Sequence, residues 1–310
     1  MRRIIPCVMI TLALILAGSF LPVFGVAGLM LCPLPLSVLG CAEGHKRMGI
    51  AELLIEATLF LAFSPTMAVY FLIGCAPLAT MIFTVSREDI KAAKNYSGAE
   101  SLLICAGASV AFKVILLVLF WVFTGKNILF PDLSQMDAVF TQLYGDNPEL
   151  RQAVMRVLAL FPRLLPAVLV VYCGVEAYLN YSLCSLFVRR IFPGSKTFPP
   201  ELQEFKMWRF PASLMVASVV SLVVGYFIDT DTWLEGAVFV MNLQIVLNVF
   251  MFVEGLSVAF WILSGFRFRR AGKVIVFVMV MFPFFWPWLI VMGMCDIVLN
   301  LRERISFGAK

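Results

Sequence analysis

The sequence predicts an all-α polytopic membrane protein: a transmembrane bundle of eight to ten helices forming a single integral membrane domain over residues 1–310. Three observations carry this expectation. The 310-residue chain is 62% hydrophobic and only 14% charged, where a soluble domain averages about 45–50% apolar and about 25% charged residues. Its mean hydropathy is +0.96, and the interior of a water-soluble protein of this length cannot enclose so much apolar surface. Finally, the apolar residues fall into runs near the ~20 residues that a helix needs to cross a bilayer core about 30 Å thick. A soluble enzyme, a secreted disulfide scaffold and a disordered tail are excluded by the same figures.

In chain order the apolar runs lie at 4–21, 23–41, 49–64, 67–85, 101–124, 160–187, 211–228, 236–264 and 273–300. The first follows Arg2-Arg3 as a signal peptide would, but apolar character continues to Leu39 across only a turn at Pro22–Gly25, so an uncleaved hairpin is expected. The last run holds Pro283 and Pro287 and reads as one kinked helix or two short ones. With the N-terminus in the cytoplasm, the loops assigned to that side carry sixteen Lys and Arg and the external ones carry three. The positive-inside rule then places the N-terminus in the cytoplasm, and the +5 net charge reports orientation. Residues 188–211 form the most basic cytoplasmic loop, with Arg189, Arg190, Lys196, Lys206 and Arg209. Residues 125–159 form an external segment with two amphipathic stretches, Met136/Val139/Phe140/Leu143 and Leu150/Val154/Val157/Leu158.

In a chain so poor in charge, ionisable residues inside the runs are the informative ones, because a charge at a helix centre costs about 2.5–3.5 kcal/mol on insertion scales. Lys113 and Glu176 are mid-segment; Glu52, Glu56, Glu254 and Asp296 are further candidates. Tyr172, Glu176 and Asn180 recur every fourth residue and form one polar stripe; Gln244 and Asn248 form another. Two readings stay open. Lys113, Tyr172, Glu176, Asn180, Gln244, Asn248 and Glu254 line a ligand site, or they are interhelical hydrogen bonds worth about 0.6 kcal/mol each.

Nothing points to catalysis, a cofactor or a metal. The one His, His45, sits in a polar loop; the eight cysteines form no Cys-x-x-Cys pair and read as packing residues. Hydrolase and phosphate-loop motifs are absent, so the expectation is a non-enzyme with no nucleic-acid partner.

Several stretches together resemble the YybS-like family of predicted bacterial membrane proteins, which carry a domain of unknown function. They are Pro33-Leu34-Pro35-Leu36 followed by Gly44–Lys46, Phe198-Pro199-Pro200 leading to Trp208-Arg209-Phe210-Pro211, Glu254-Gly255-Leu256-Ser257-Val258, and Gly293-x-x-Asp296 with Arg302 after it. That family is in turn distantly similar to the S components of energy-coupling-factor transporters, which bind a solute and dock on a transmembrane subunit with two ATPases. The resemblance implies docking through an Ala-x-x-x-Ala pattern, matched here by Ala13 and Ala17. The chain is longer than a six-helix S component and lacks a recognisable ligand loop. The resulting expectation is a solute-binding or transport subunit whose partners are the bilayer, a small-molecule ligand and an ATPase-bearing coupling subunit. The alternatives are a non-transporting scaffold or assembly factor and an ion-coupled secondary transporter.

Overall fold

The structure is a computed structural model that describes residues 3–21, 25–94, 96–125, 148–195, 197–228, 233–265 and 269–304, without the side chains of 92, 148–161, 265, 269–273 and 277. The predicted external segment 125–159 therefore falls outside the described residues except for Gly125 and the helical backbone from Pro148 onward.

The described residues contain helices and no strand. The first helices are α1 (Ile4–Phe20), α2 (Gly25–Leu31), α3 (Pro33–Glu43), α4 (His45–Ala62) and α5 (Pro65–Val69). Proline opens α3 and α5, where its missing N–H has no intrahelical partner to lose, and the Ser64 hydroxyl caps α5 by accepting from the Thr66 amide at 3.2 Å. α5 runs on as a π-helix over Tyr70–Cys75 and then as α6 (Ala76–Ser86). Pro77 explains the widening: it cannot donate to the preceding turn and crowds it, and the Ala76 amide reaches back to the Phe71 carbonyl instead.

The short α7 (Glu88–Lys94) leads to α8 (Gly98–Thr124), which starts on a full capping box between Ser97 and Glu100 and stops at Gly125 with φ 64°. Next come α9 (Pro148–Ile191), α10 (Ala212–Phe227), α11 (Leu234–Gly265), α12 (Arg269–Met281), α13 (Trp286–Leu299) and α14 (Leu301–Arg304). The helix expected to give way to loop at 188 continues to Ile191, so Arg189 and Arg190 lie in its last turn, where cations suit the helix dipole.

The 44-residue α9 holds Pro162 and Pro166 in its interior. Asn242 of α11 bridges the step beside Pro166: its Oδ1 accepts from the Ala167 amide at 2.9 Å, and its Nδ2 donates to the Arg163 carbonyl at 2.8 Å. One side-chain amide thus serves both backbone groups that an uninterrupted helix would join to each other, the remedy lipid requires where no water is at hand.

The fold divides into two compact units, the first comprising 1–131 and 172–202 and the second 132–171 and 203–310. The core of the first is formed by residues such as Ile15, Leu36, Ile55, Leu59, Phe71, Leu78, Ile82 and Tyr181, all 1% exposed or less. In the second, Leu256, Ala259 and Leu289 are the buried centre of a smaller cluster with Phe252 and Met292 around it.

Among the described residues, five helical stretches are long and apolar enough to cross a membrane: Gly25–Glu43, Pro65–Ser86, Gly98–Thr124, Pro162–Ile191 and Leu234–Ser264. The bent pair Val274–Met281 and Pro283–Leu299, angled by 94°, brings the number to six when taken as one span. The expected eight to ten are not reached by this measure, for identifiable reasons. Ile4–Phe20 and Ala212–Phe227 have only 17 and 16 residues, and the run at 49–64 lies in α4, which also carries Lys46, Arg47, Glu52 and Glu56. Apolar side chains such as Leu103, Ile115, Val122 and Phe123 along α8 stay exposed, as they do on a lipid-facing surface.

α11 and α13 approach at two glycines. A Cβ on Gly255 would collide with the Leu289 carbonyl, and one on Gly293 with the Met251 carbonyl. Close backbone approach through small residues is how membrane helices gain packing that lipid does not otherwise reward. Gly255→Ala is expected to cost about 1–3 kcal/mol through overpacking, read as a lower thermal unfolding midpoint in detergent. Gly49→Ala, where an added Cβ meets nothing within 4 Å, leaves the midpoint in place.

Candidate functional site

In the first unit, α8, α9 and the π-helix place one charged cluster in the apolar interior. Lys113 Nζ donates to Glu176 Oε2 at 2.6 Å, to Ser109 Oγ at 3.0 Å and to the Gly74 carbonyl at 3.1 Å. These are three acceptors for the three N–H bonds of an ammonium. The Ser109 hydroxyl, one turn before Lys113 on α8, donates to the same Glu176 oxygen at 2.6 Å. The Tyr172 ring lies one turn before Glu176, its centroid 5.5 Å from the ammonium. Lys113 is 6% exposed and Glu176 and Asn180 are fully buried.

Charge in this cluster is balanced one to one, but its hydrogen bonds are not all used. Asn180 Nδ2 donates to the Met30 and Glu176 carbonyls at 2.7 Å each, which fixes the amide's orientation. Glu176 Oε1 and Asn180 Oδ1, one helical turn apart on α9, are buried acceptors with no partner. Native proteins satisfy nearly all such atoms, and the exceptions concentrate at functional positions or at water sites. Cys32 and Cys75, both fully buried, lie beside the cluster.

A second charged cluster belongs wholly to the second unit. Arg302 on α14, its side chain only 4% exposed, donates through Nη2 to Glu254 Oε1 at 2.7 Å and pairs through Nε with Asp296 Oδ2 at 3.1 Å. Its Nη1 donates to the Lys206 and Trp208 carbonyls at 2.9 and 2.7 Å. Glu254 Oε2 accepts from the Phe210 amide at 2.9 Å, and Ser257 Oγ donates to the Phe205 carbonyl at 2.6 Å. Residues 203–210, nearly free of regular structure, are thereby anchored through their backbone. Burial pushes the Arg302 guanidinium below its ordinary value, and the Asp296 and Glu254 carboxylates oppose that shift.

The preceding residues are held in an analogous way in the first unit. The Lys91 ammonium donates to the Phe198 carbonyl at 2.5 Å, Lys91 and Arg189 both lie over the Phe198 ring, and Tyr181 donates to the Pro200 carbonyl at 2.8 Å. Desolvation lowers the proton affinity of Lys91. Gly98 lies under the Glu201 carbonyl, where any Cβ would collide.

Of the residues singled out from the sequence, Lys113, Tyr172, Glu176 and Asn180 come together. Gln244 and Asn248 find their partners in the second unit: Gln244 Nε2 donates to Asn248 Oδ1 at 2.7 Å, and Ser221 of α10 bonds to Gln244. Glu254 belongs to the Arg302 cluster. Ala13 is exposed and Ala17 half-buried on α1, and Glu52 and Glu56 are half-buried on α4. Sequence reasoning missed Asn242, for which the signal was a mid-helix Asn in a chain with Pro162 and Pro166. Arg302 was noted only as the end of a motif. Among the described residues, no group of three or more His, Cys, Asp or Glu side chains is arranged to hold a metal.

Bilayer-length helices around desolvated ion pairs define an integral, multi-pass membrane protein. The chain belongs to the predicted membrane protein family DUF2232, whose model matches residues 9–297. It is 22% identical to the uncharacterized protein YybS of Bacillus subtilis (strain 168) over 301 residues, covering 93% of this chain and 92% of that one. No solved structure matches. The resemblance to YybS-like proteins is thereby shown; the likeness to S components rests on the sequence pattern alone.

Removing one partner from a buried ion pair strands the other charge. Lys113→Met is expected to destabilise the protein by about 3–5 kcal/mol. The double variant Lys113→Met/Glu176→Leu, which strands neither charge, recovers most of that loss. Thermal unfolding of the purified variants in one detergent checks both. Arg302→Met releases residues 203–210, so trypsin cuts after Lys206 and Arg209 at least ten times faster than in wild type, a gain corresponding to about 1.4 kcal/mol or more of lost local stability.

Proposed function

We propose that this protein is the membrane-embedded solute-binding subunit of a transport system, inserted in a bacterial inner membrane with its N-terminus in the cytoplasm. The observation that carries the reading is the pair of unpartnered buried acceptors, Glu176 Oε1 and Asn180 Oδ1, beside the Lys113–Glu176 ion pair. Two acceptors on one helix face, in a cluster already neutral, suit a small solute that presents N–H or O–H donors and carries little net charge of its own. The neighbouring π-helix supports the same location, since such irregular turns recur at functional sites. Energy for uptake would come from a separate ATP-hydrolysing partner docking on basic cytoplasmic surface or on the Ala13/Ala17 face of α1. The protein itself performs no chemistry in this reading.

A scaffold or assembly role is the second reading, favoured by the anchoring of residues 203–210 in the second unit, which bear Lys206 and Arg209. Native mass spectrometry of the full chain in nanodiscs of defined lipid separates the two. A small molecule retained by wild type and lost from Lys113→Met/Glu176→Leu supports solute binding. Identical small-molecule profiles for the two proteins sink it, and co-purification of cytoplasmic proteins with no bound small molecule favours the scaffold.

A further inference from the structure

The two charged clusters differ in stoichiometry. Lys113 and Glu176 balance one to one, whereas Arg302 faces two carboxylates, Glu254 at 0% exposure and Asp296 at 3%. The two carboxyl groups face neighbouring nitrogens of the same guanidinium, Nη2 and Nε. Among the described side chains, no further cation pairs with either carboxylate. α10 carries no charged residue. Lys206 pairs with Glu204 and Arg209 with Glu303 on exposed surface, each cation already facing a carboxylate of its own. Arg304, next to Glu303 on α14, is exposed.

With both carboxylates ionised, the triad would hold one uncompensated negative charge out of water, which costs several kcal/mol even after relaxation. Two carboxyl groups side by side avoid that cost by sharing a single proton, as in acid dyads generally. The remaining hydrogen bonds fit a proton lying between them. Glu254 offers one oxygen to Arg302 and the other to the Phe210 amide, and Asp296 receives the Arg302 guanidinium on one oxygen and the Arg302 backbone amide at 3.3 Å on the other. Each oxygen has further lone pairs for the shared proton. A cleft of about 650 Å³ lined by Arg302, Arg209, Glu204, Gln203, Met207 and Trp261 opens at the cation of the triad.

We propose that Glu254 and Asp296 form a proton-binding site, holding one proton between them at neutral pH and exchanging it through this cleft. The proton makes the triad neutral and keeps residues 203–210 anchored. Its loss leaves two carboxylates repelling each other behind one guanidinium and weakens the hold of Glu254 on the Phe210 amide. The site is independent of the solute-binding reading, since it shares no residue with the Lys113 cluster.

The test is infrared spectroscopy of the full chain in nanodiscs at pH 7, in buffers with sodium and with a bulky organic cation in its place. A shared proton gives a protonated-carboxyl C=O stretch in wild type in both buffers. Glu254→Gln and Asp296→Asn, each leaving one carboxylate to one guanidinium, both lose it and keep unfolding midpoints close to wild type. Wild-type protein without such a band overturns the proposal whatever the variants do, and so does a band that survives both substitutions. A band present only without sodium also overturns it, because a metal cation and not a proton would then be the neutralising ligand. Glu254→Ala in parallel gives a midpoint well below that of Glu254→Gln if the site works through its hydrogen bonds; equal midpoints count against the anchoring role.

Discussion

Every feature of this protein answers to one constraint: inside a bilayer, no water is available to satisfy a backbone group or a charge, so each must find its partner in protein. Most of the chain meets the constraint by being helical, and the places where helices are interrupted show what it demands. Pro77 costs α6 a donor, and the chain responds with a π-helix, within which the Gly74 carbonyl accepts from Lys113. Pro166 interrupts α9, and Asn242 spans the interruption with one amide. Residues 203–210 are barely helical, and Arg302, Glu254 and Ser257 bond their backbone. For Asn242, a polar side chain inside an apolar segment is explained by backbone groups that lack their usual partners.

That logic also sorts the polar groups by how fully the chain satisfies them. Gln244, Asn248 and Ser221 bond to one another and to Ser218, which is the behaviour of interhelical hydrogen bonds worth a few tenths of a kcal/mol to about 1.7 kcal/mol. The two charged clusters go further. In one, the charges cancel but acceptor oxygens are left over; in the other, hydrogen bonds are plentiful but the charges do not cancel. Each departure leaves something unmet within the described residues: hydrogen-bond donors in the first cluster and positive charge in the second.

The membrane class was legible in composition alone, and the central residues of the first cluster, Lys113 and Glu176, were legible because a mid-span ion has so few ways to be stable. Tyr172 and Asn180 followed from helical period. The span count was less legible, because apolar runs continue past their helix ends and hide helices as short as Ala212–Phe227. Pairing between distant segments was not legible at all. Nothing in the period of α11 says that Gln244 meets serines of α10, or that Glu254 meets an arginine 48 positions later. Such contacts are set by which helices cross, and a single sequence records that only through the residues at the crossing.

Those residues are glycines, and they account for the chemistry beside them. Gly255 follows Glu254 directly and Gly293 precedes Asp296 by three positions, so both carboxylates flank the point where α11 and α13 approach most closely. Larger residues there would push the backbones apart and separate the two acids. An arginine is also the cation such a site requires. Its planar fork reaches both carboxylates and two backbone carbonyls at once, whereas the point charge of a lysine has three donors and no fixed plane to divide among them. The stretches that resemble the YybS-like family, Trp208 to Pro211, Glu254 to Val258 and Gly293-x-x-Asp296 with Arg302, are scattered over almost a hundred positions of sequence and meet at this one crossing. Their common feature is that each contributes either a charge, a close-approach glycine or a backbone group to the same buried triad.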